Sequence, residues 1–239
     1  MSKESNEILV AVAGQPNSGK STVFNCLTGA RQFVANYPGI TVEKKTGIYY
    51  YKGDKVVLVD LPGTYSLTSY SLEERVARDF LLHENPALIL DIVDASNLER
   101  NLYLTFQLLE MDIPLVIALN MKDVAQRRGL QIDTNKLSQQ LGAAVVPTIA
   151  NKGKGKEELR QAIWETYKNR NSNYIPFCIN YGKTLEPILT SLEKQLLEYP
   201  NLLKSYSTRW LAVKLLGNDS EAQKLVGEYS ATNKNKEDK

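Results

Sequence analysis

The segment Gly14-Gln15-Pro16-Asn17-Ser18-Gly19-Lys20-Ser21 has the residue types and spacing of a phosphate-binding loop. Its glycines free backbone N–H groups to wrap phosphate oxygens, and Lys20 brings a cation to the β and γ positions. The Ser21 hydroxyl suits Mg²⁺, and Thr22 follows in the same first helical turn. Further on, Asp60-Leu61-Pro62-Gly63 offers a carboxylate to hold Mg²⁺ through water and a Gly63 N–H to meet a γ-phosphate. Asn120-Met121-Lys122-Asp123 reads as a base site. Asp123 accepts from the guanine N1 and exocyclic amine, a pairing adenine lacks, while Asn120 braces the loop and touches the base. The usual guanine pattern is Asn-Lys-x-Asp. Met121 holds the Lys position here and packs its thioether on the base face, and Lys122 takes no such role. Thr41, in the loop Tyr37-Pro38-Gly39-Ile40-Thr41-Val42, is placed to close on Mg²⁺ when a γ-phosphate is present and to release afterwards. Thr148-Ile149-Ala150-Asn151 supplies the Ala150 and Asn151 backbone to the guanine carbonyl.

These segments need strands that end where they begin. The apolar run Ile8 to Val12 precedes the phosphate loop, and a helix from Ser21 to Leu27 follows it. Glu43 to Tyr51 and Lys55 to Leu61, rich in β-branched and aromatic residues, flank Lys52-Gly53-Asp54 and predict a hairpin, hence one antiparallel edge strand. Tyr49, Tyr50 and Tyr51 then belong to that edge strand. Ser71 with Glu74 forms a capping-box pattern that starts a helix. Leu88 to Val93 and Leu115 to Leu119 read as buried parallel strands joined through a crossover helix over Leu98 to Glu110. A helix over Lys136 to Leu141, a strand over Ala144 to Pro147 and a helix over Lys156 to Lys168 close the alternation. The pattern predicts an α/β fold, a doubly wound, mostly parallel sheet with nucleotide chemistry at the carboxyl ends of the strands.

A polar stretch after Asn169 predicts a boundary, with residues 1–170 as the nucleotide domain and 171–239 as a small all-helical subdomain ending in a polar tail. Leu185, Ile188, Leu189, Leu192 and Leu196 form one apolar helix face, and Trp210, Leu211, Val213 and Leu215 mark a second helix. The chain has 239 residues, 29 Lys plus Arg against 27 Asp plus Glu, and 43% apolar positions, which is globular rather than disordered. A net charge of +2 gives no basic field for nucleic acid, so none is expected as a partner. The two cysteines lie far apart and no apolar run reaches the roughly 18 residues of a membrane span, so a soluble, cytoplasmic chain is expected.

The five segments in this order resemble the guanine-nucleotide domain of translation-factor-type GTPases. The closer wording is similar to the ferrous-iron transport protein B family: Gly-Gln-Pro-Asn-Ser-Gly-Lys-Ser, then Asn-Tyr-Pro-Gly-Ile-Thr-Val-Glu, then Asp-Leu-Pro-Gly-Thr-Tyr-Ser-Leu, then Ala-Leu-Asn-Met-Lys-Asp. The resemblance spans roughly residues 5 to 168, and the helices beyond 170 resemble that family's helical regulatory subdomain. It implies a GTP- and GDP-binding, GTP-hydrolysing cytosolic portion that regulates Fe²⁺ uptake. It also implies a transmembrane region of the same parent as partner, a parent in the bacterial inner membrane, and assembly there as a homo-oligomer. Asn17 matches the phosphate-loop Asn that helps hold K⁺ in potassium-activated relatives, where the cation offsets charge between the β and γ phosphates. Thr64 stands where many switch GTPases carry a water-orienting Gln, which implies slow intrinsic hydrolysis, and Ile149 replaces a Ser common in the last guanine segment, which implies a looser base site.

Two other functions fit parts of the sequence. One is a nucleotide-gated binding module with negligible turnover, and the other is a ribosome-assembly GTPase, which shares the Pro-Asn-x-Gly-Lys-Ser loop but calls for a basic appendage. His83, beside Glu84 and without a partner at ligand spacing, reads as a solvated helix-end residue, and the Lys152 to Lys156 run as a solvated loop.

Overall fold

A computed structural model describes residues 6–29, 31–37, 40–68, 71–170, 177–203 and 206–227. In chain order the elements are β1 (Glu7–Gly14), α1 (Lys20–Thr28), β2 (Gln32–Asn36), β3 (Glu43–Tyr51), β4 (Asp54–Asp60) and α2 (Leu72–His83). There follow β5 (Leu88–Asp94), α3 (Leu98–Leu109), β6 (Leu115–Asn120), α4 (Lys122–Arg127), α5 (Thr134–Leu141), β7 (Ala144–Pro147) and α6 (Lys156–Asn169). Two more helices, α7 (Gly182–Leu196) and α8 (Thr208–Leu216), complete the named elements, and residues 220–227 are helical.

The seven strands lie in the order β2-β3-β4-β1-β5-β6-β7. All neighbouring pairs from β4 to β7 are parallel, and β3 runs antiparallel to both β2 and β4. The expected doubly wound class with its antiparallel edge is therefore the observed one. That edge is one strand wider than the sequence pattern suggests, because β2 lies outside it. The tyrosines of β3 are corrected accordingly: β3 sits one strand in from the rim, and Tyr49 is buried against the sheet's covered face while Tyr50 is exposed. Burial also pushes the Tyr49 phenol above its ordinary range.

Alternation along β1 divides the core. Val10 and Val12 face α1 and α6, packed among Phe24, Leu27, Leu90 and Ile163. Ala11 and Ala13 face the opposite layer, where Val76, Phe80, Leu104 and Leu108 of α2 and α3 meet the sheet. Leu189, Leu196, Trp210 and Leu211 of α7 and α8 belong to that second cluster, so the helices beyond 177 share a continuous core with the sheet. Only part of the predicted α7 face is covered: Leu189 and Leu196 are buried, whereas Leu185 and Ile188 are exposed. Helix α2 starts as its capping box requires, the Glu74 N–H donating to Ser71 Oγ at 3.1 Å and the Ser71 N–H to Glu74 Oε2 at 3.5 Å. Among the described residues no helix is long and apolar enough to cross a membrane. The predicted tail over 231–239 lies outside the described residues.

Candidate functional site: a phosphate loop and a base loop at the carboxyl ends of the strands

Strand order decides which loops meet. Because β4 lies parallel beside β1 with Val12 opposite Asp60, the end of β4 falls level with the loop that leaves β1. The Leu61 N–H extends that ladder by donating to Val12 O at 3.0 Å. Asp60 consequently reaches Lys20, and the two side chains pair directly, both largely buried. On the other side β5 crowds the loop. A Cβ at Gly14 would come within 2.8 Å of Ile92 O, so close backbone approach demands glycine there. Gly19 has φ 86°, and a Cβ would stand 2.3 Å from Asn120 Nδ2. Its missing side chain is what lets the phosphate loop touch β6.

Helix α1 begins at Lys20 without a side-chain cap at Gly19, which leaves its first N–H groups pointing at the loop, the ordinary condition for anion binding. Ser18 is buried, and its Oγ has no hydrogen-bond partner among the described residues. An unmatched buried hydroxyl beside free helix N–H groups and a lysine fits a phosphate. The Ser21 hydroxyl, next in sequence to the lysine that pairs with Asp60, and the Asp60 carboxylate are hard oxygen donors, and with phosphate oxygens they fit Mg²⁺. Ser21 and Thr22 are exposed, as is Asn17, which holds a left-handed φ of 67°. The Asn17 amide oxygen fits a monovalent cation only when phosphate oxygens share the site. Gln15 is buried instead, its Nε2 donating to Arg100 O of α3 at 2.6 Å. Pro16 faces the Gly63 loop: a Cβ at Gly63 would lie 3.5 Å from Pro16 N.

The loop before β3 is held by the Tyr37 N–H donating to Val42 O at 2.9 Å and the Ile40 N–H to Tyr37 O at 3.2 Å. Thr41 is exposed beside it. The Tyr37 ring is buried edge-on to Phe80, and burial with the nearby Asp60 carboxylate pushes its phenol above the ordinary range. Gly39, expected to contact nucleotide, lies outside the described residues.

At the other end, β6 finishes on Asn120, which is only 3% exposed and acts as a hub. Its Nδ2 donates to Ser18 O at 3.1 Å, and its Oδ1 accepts from Thr148 Oγ1 and from the Ala150 N–H, each at 3.2 Å. One side chain thus ties the phosphate loop, the base loop and the segment after β7 together. The Ala150 N–H expected to face guanine is engaged by Asn120 in this structure. Met121 takes a left-handed φ of 59° and starts α4, leaving Asp123 in its first turn. Asp123 pairs with Lys152 at 3.1 Å, and this hydrogen bond holds its carboxyl below the usual range. Leu61 is buried beneath the site and Pro62 half-buried, while Asn151 is exposed next to Lys152.

Sequence spacing does not mark Thr148 or Lys152 as site residues. Thr148 follows a strand, a position that any polar residue fills, and Lys152 reads from sequence as part of a solvated loop. His83 ends α2 exposed, its ring edge-on to Tyr206 at 6.2 Å. Among the described residues no group of three or more His, Cys, Asp or Glu could hold a metal by itself.

Residues 8–163 match the family of ferrous iron transport protein B, and residues 181–239 match the FeoB cytosolic helical domain. A fusion of Fe(2+) transport protein A with the Fe(2+) transporter FeoB from Porphyromonas gingivalis is 45% identical over 222 residues, covering 92% of this chain and 26% of that protein. The Fe(2+) transporter FeoB of Escherichia coli is 40% identical over 228 residues, 94% of this chain and 29% of its own length. The chain therefore spans about a quarter of the length of the curated relatives it matches. Among solved structures, the cytosolic domain of the T. maritima FeoB iron transporter in a GDP form superposes with a TM-score of 0.83 at 39% identity, covering 92% of this chain and 87% of that one. Its GMPPNP form gives 0.81 at 40% identity, covering 91% and 86%. The cytosolic domain of L. pneumophila FeoB gives 0.81 at 37% identity, covering 93% and 86%.

Proposed function

We propose, for a chain that belongs to the ferrous iron transport protein B family, that it is a guanine-nucleotide switch that binds GTP and GDP, hydrolyses GTP slowly and regulates Fe²⁺ uptake by a membrane-embedded remainder of its parent. The observation that carries this reading is the Asn120 hub, which fastens a base-reading loop to a phosphate loop at the carboxyl ends of the strands. In this reading the backbone from Gly14 to Gly19 and the first turn of α1, with Ser21 and Thr22, wrap the phosphates. Lys20 exchanges its Asp60 partner for the β and γ oxygens. Asp123 exchanges Lys152 for guanine N1 and the exocyclic amine, and the Met121 thioether and the backbone at Ala150 and Asn151 border the base. Thr41, Gly39, Ile40 and the Asp60-Leu61-Pro62-Gly63 turn respond to the γ-phosphate. Mg²⁺, held by Ser21, Thr41 and, through water, Asp60, supplies neutralisation of the phosphate charge. Asn17 would help hold K⁺, which would offset phosphate charge there.

Residues 1–170 serve as the nucleotide domain and 171–239 as the helical part that passes its state to the membrane region on the cytoplasmic face, where the parent assembles as a homo-oligomer. Thr64 is 5% exposed and offers a short hydroxyl where many switch GTPases carry a water-orienting amide. That short side chain supports slow turnover and favours, as the second reading, a module that signals by occupancy alone.

Single-turnover GTP hydrolysis with Mg²⁺, compared in K⁺ and Na⁺ at equal ionic strength, tests the proposal. Acceleration by K⁺ that Asn17→Ala removes is the expected result. Equal, negligible rates in both salts would leave the occupancy module standing, and failure to bind guanine nucleotide would reject both.

A further inference from the structure

The chain as a whole has a net charge of +2, but its cations are not spread evenly. Residues 122–133 and 151–156 hold Lys122, Arg127, Arg128, Lys152, Lys154 and Lys156 against Asp123 and Asp133 alone. That surplus exceeds the charge of the whole chain, so the remainder of the molecule is net acidic. The fold brings the two segments together. The Lys122 N–H donates to Thr148 O at 3.4 Å, and the chain after β7 folds back where the Ile149 N–H donates to Lys154 O at 3.1 Å. Lys152 then meets Asp123 at 3.1 Å. The Asp123 carboxyl is held low by that hydrogen bond first and by the Arg127 charge besides, so cations of both segments surround one carboxylate.

The two carboxylates offset little of this field. Asp123 is taken up by Lys152, and Asp133 caps α5, accepting from the Asn135 and Lys136 N–H groups at 3.1 and 3.0 Å. Glu157, the next carboxylate in sequence, pairs with Arg160. Arg128 donates to Ser96 O at 3.3 Å, while Lys122, Arg127, Lys154 and Lys156 form no ion pair among the described residues. The rim also projects. A Cβ at Gly129 or at Gly153 would meet nothing within 4 Å, so both turns stand clear of the fold. The first carries Leu130, 44% exposed beside the exposed Arg127 and Arg128. Neither segment contains an aromatic residue on which a nucleic-acid base could stack. Cations around one projecting aliphatic side chain suit a phosphate-bearing lipid surface, where the charges meet headgroups and the leucine enters the acyl boundary.

We propose that this basic rim docks the nucleotide domain onto an anionic lipid surface, with Arg127 and Lys154 on the headgroup phosphates and Leu130 inserted between them. The inference rests on the function proposed above only for the nearness of a membrane. Because the rim surrounds Asp123, docking turns the base end of the crevice toward the bilayer.

The test is co-sedimentation of the full 239-residue chain with vesicles of phosphatidylcholine alone and of phosphatidylcholine and phosphatidylglycerol in equal parts, at low and high salt. Binding to the mixed vesicles only, lost at high salt, is expected. Arg127→Gln with Lys154→Gln is expected to weaken it about twenty-five-fold, at about fivefold per surface cation. Lys52→Gln with Lys183→Gln removes the same charge from exposed positions outside the rim and is expected to change binding less than about threefold. Leu130→Ser is expected to weaken it about threefold with the salt dependence intact. Equal binding to both vesicles, equal losses from the two double variants, indifference to Leu130→Ser, or retention of single-stranded RNA without retention of vesicles would each overturn the inference. Fluorescent-GDP titration of the same samples keeps the two readings apart. A chain that binds GDP and ignores mixed vesicles overturns the docking alone, and one that binds mixed vesicles without nucleotide overturns the switch alone.

Discussion

At the phosphate end of the proposed crevice, position is fixed by backbone packed against backbone: Gly14 against Ile92, the end of β4 in register with β1, the start of α1 beneath. At the base end, position depends on side chains, chiefly the buried Asn120, while the proposed base reader, Asp123, sits at the rim paired with Lys152. The difference separates two tasks. Phosphate binding is a consequence of the sheet itself, since strand register and helix start supply it, and no single side-chain loss erases those N–H groups. Base identity rests on a few replaceable groups, so affinity and specificity can be tuned there without disturbing the fold.

Substitutions order this contrast by size. Gly19→Ala should act at both ends together, forcing a strained φ and driving a Cβ into Asn120 Nδ2. A fall of about a hundredfold in fluorescent-GDP affinity is expected from these costs, and unchanged affinity would show that the two ends are not held through this contact. Asn120→Ala strands the Ser18, Thr148 and Ala150 groups and should cost about 2 kcal/mol, read as a lower melting temperature and weaker GDP binding. Asp123→Ala should leave the melting temperature within about 2 °C and lower GDP affinity about tenfold while sparing ADP. Equal losses for both bases would break the division of labour.

A pH measurement sharpens the phosphate side. Asp91 lies in β5 opposite Ala13, fully buried, accepting from Thr105 Oγ1 at 2.6 Å, and burial pushes its carboxyl from 3.8 up to about 7. Between these values the unfolded chain has released a proton that the folded chain keeps. Stability therefore declines as pH rises through that window and levels off above it. Thermal unfolding should show this slope and Asp91→Asn should flatten it; the same slope in both would remove Asp91 as its source. The smallest effect is at Lys152. Its pair with Asp123 is exposed, so Lys152→Met should raise GDP affinity by no more than about threefold, and high salt should erase the gain.

The sheet is legible in the sequence because its strands carry periodicity. β6 and, apart from Asp91, β5 are apolar up to their last residue, and their observed bounds differ from the predicted ones by a single residue at one end. β2 escapes because Gln32–Asn36 is five largely exposed residues at the rim, with no buried face to impose alternation. α4 escapes because six residues opened by a left-handed Met121 carry no helical period. In the site, the phosphate loop is legible as a contiguous motif, and so is Asp123. The Asn120 contacts join residues 102 and 28 positions apart, and the Leu67 N–H and C=O meet Gln107 of α3 and Lys214 of α8 across 40 and 147. Spacing within one segment carries no record of such meetings. The α7 face shows the reverse error, since its apolar stripe predicts more burial than its neighbours supply at Leu185 and Ile188.

The strand order also has a meaning in time. β1 and the phosphate loop leave the ribosome before the other strands, yet the β4 residue that pairs with Glu7 comes 48 residues later, and the partner on the other side, β5, later still. No strand must insert between two that are already paired: β2 and β3 dock through β4 on one edge, and β5, β6 and β7 add in succession on the other. Growth by accretion avoids threading, but it postpones competence. A nascent chain exposes Lys20 early, whereas the Asn120 contact with Ser18 waits for β6, so the tie between the two ends of the proposed crevice is among the last features of the sheet to form.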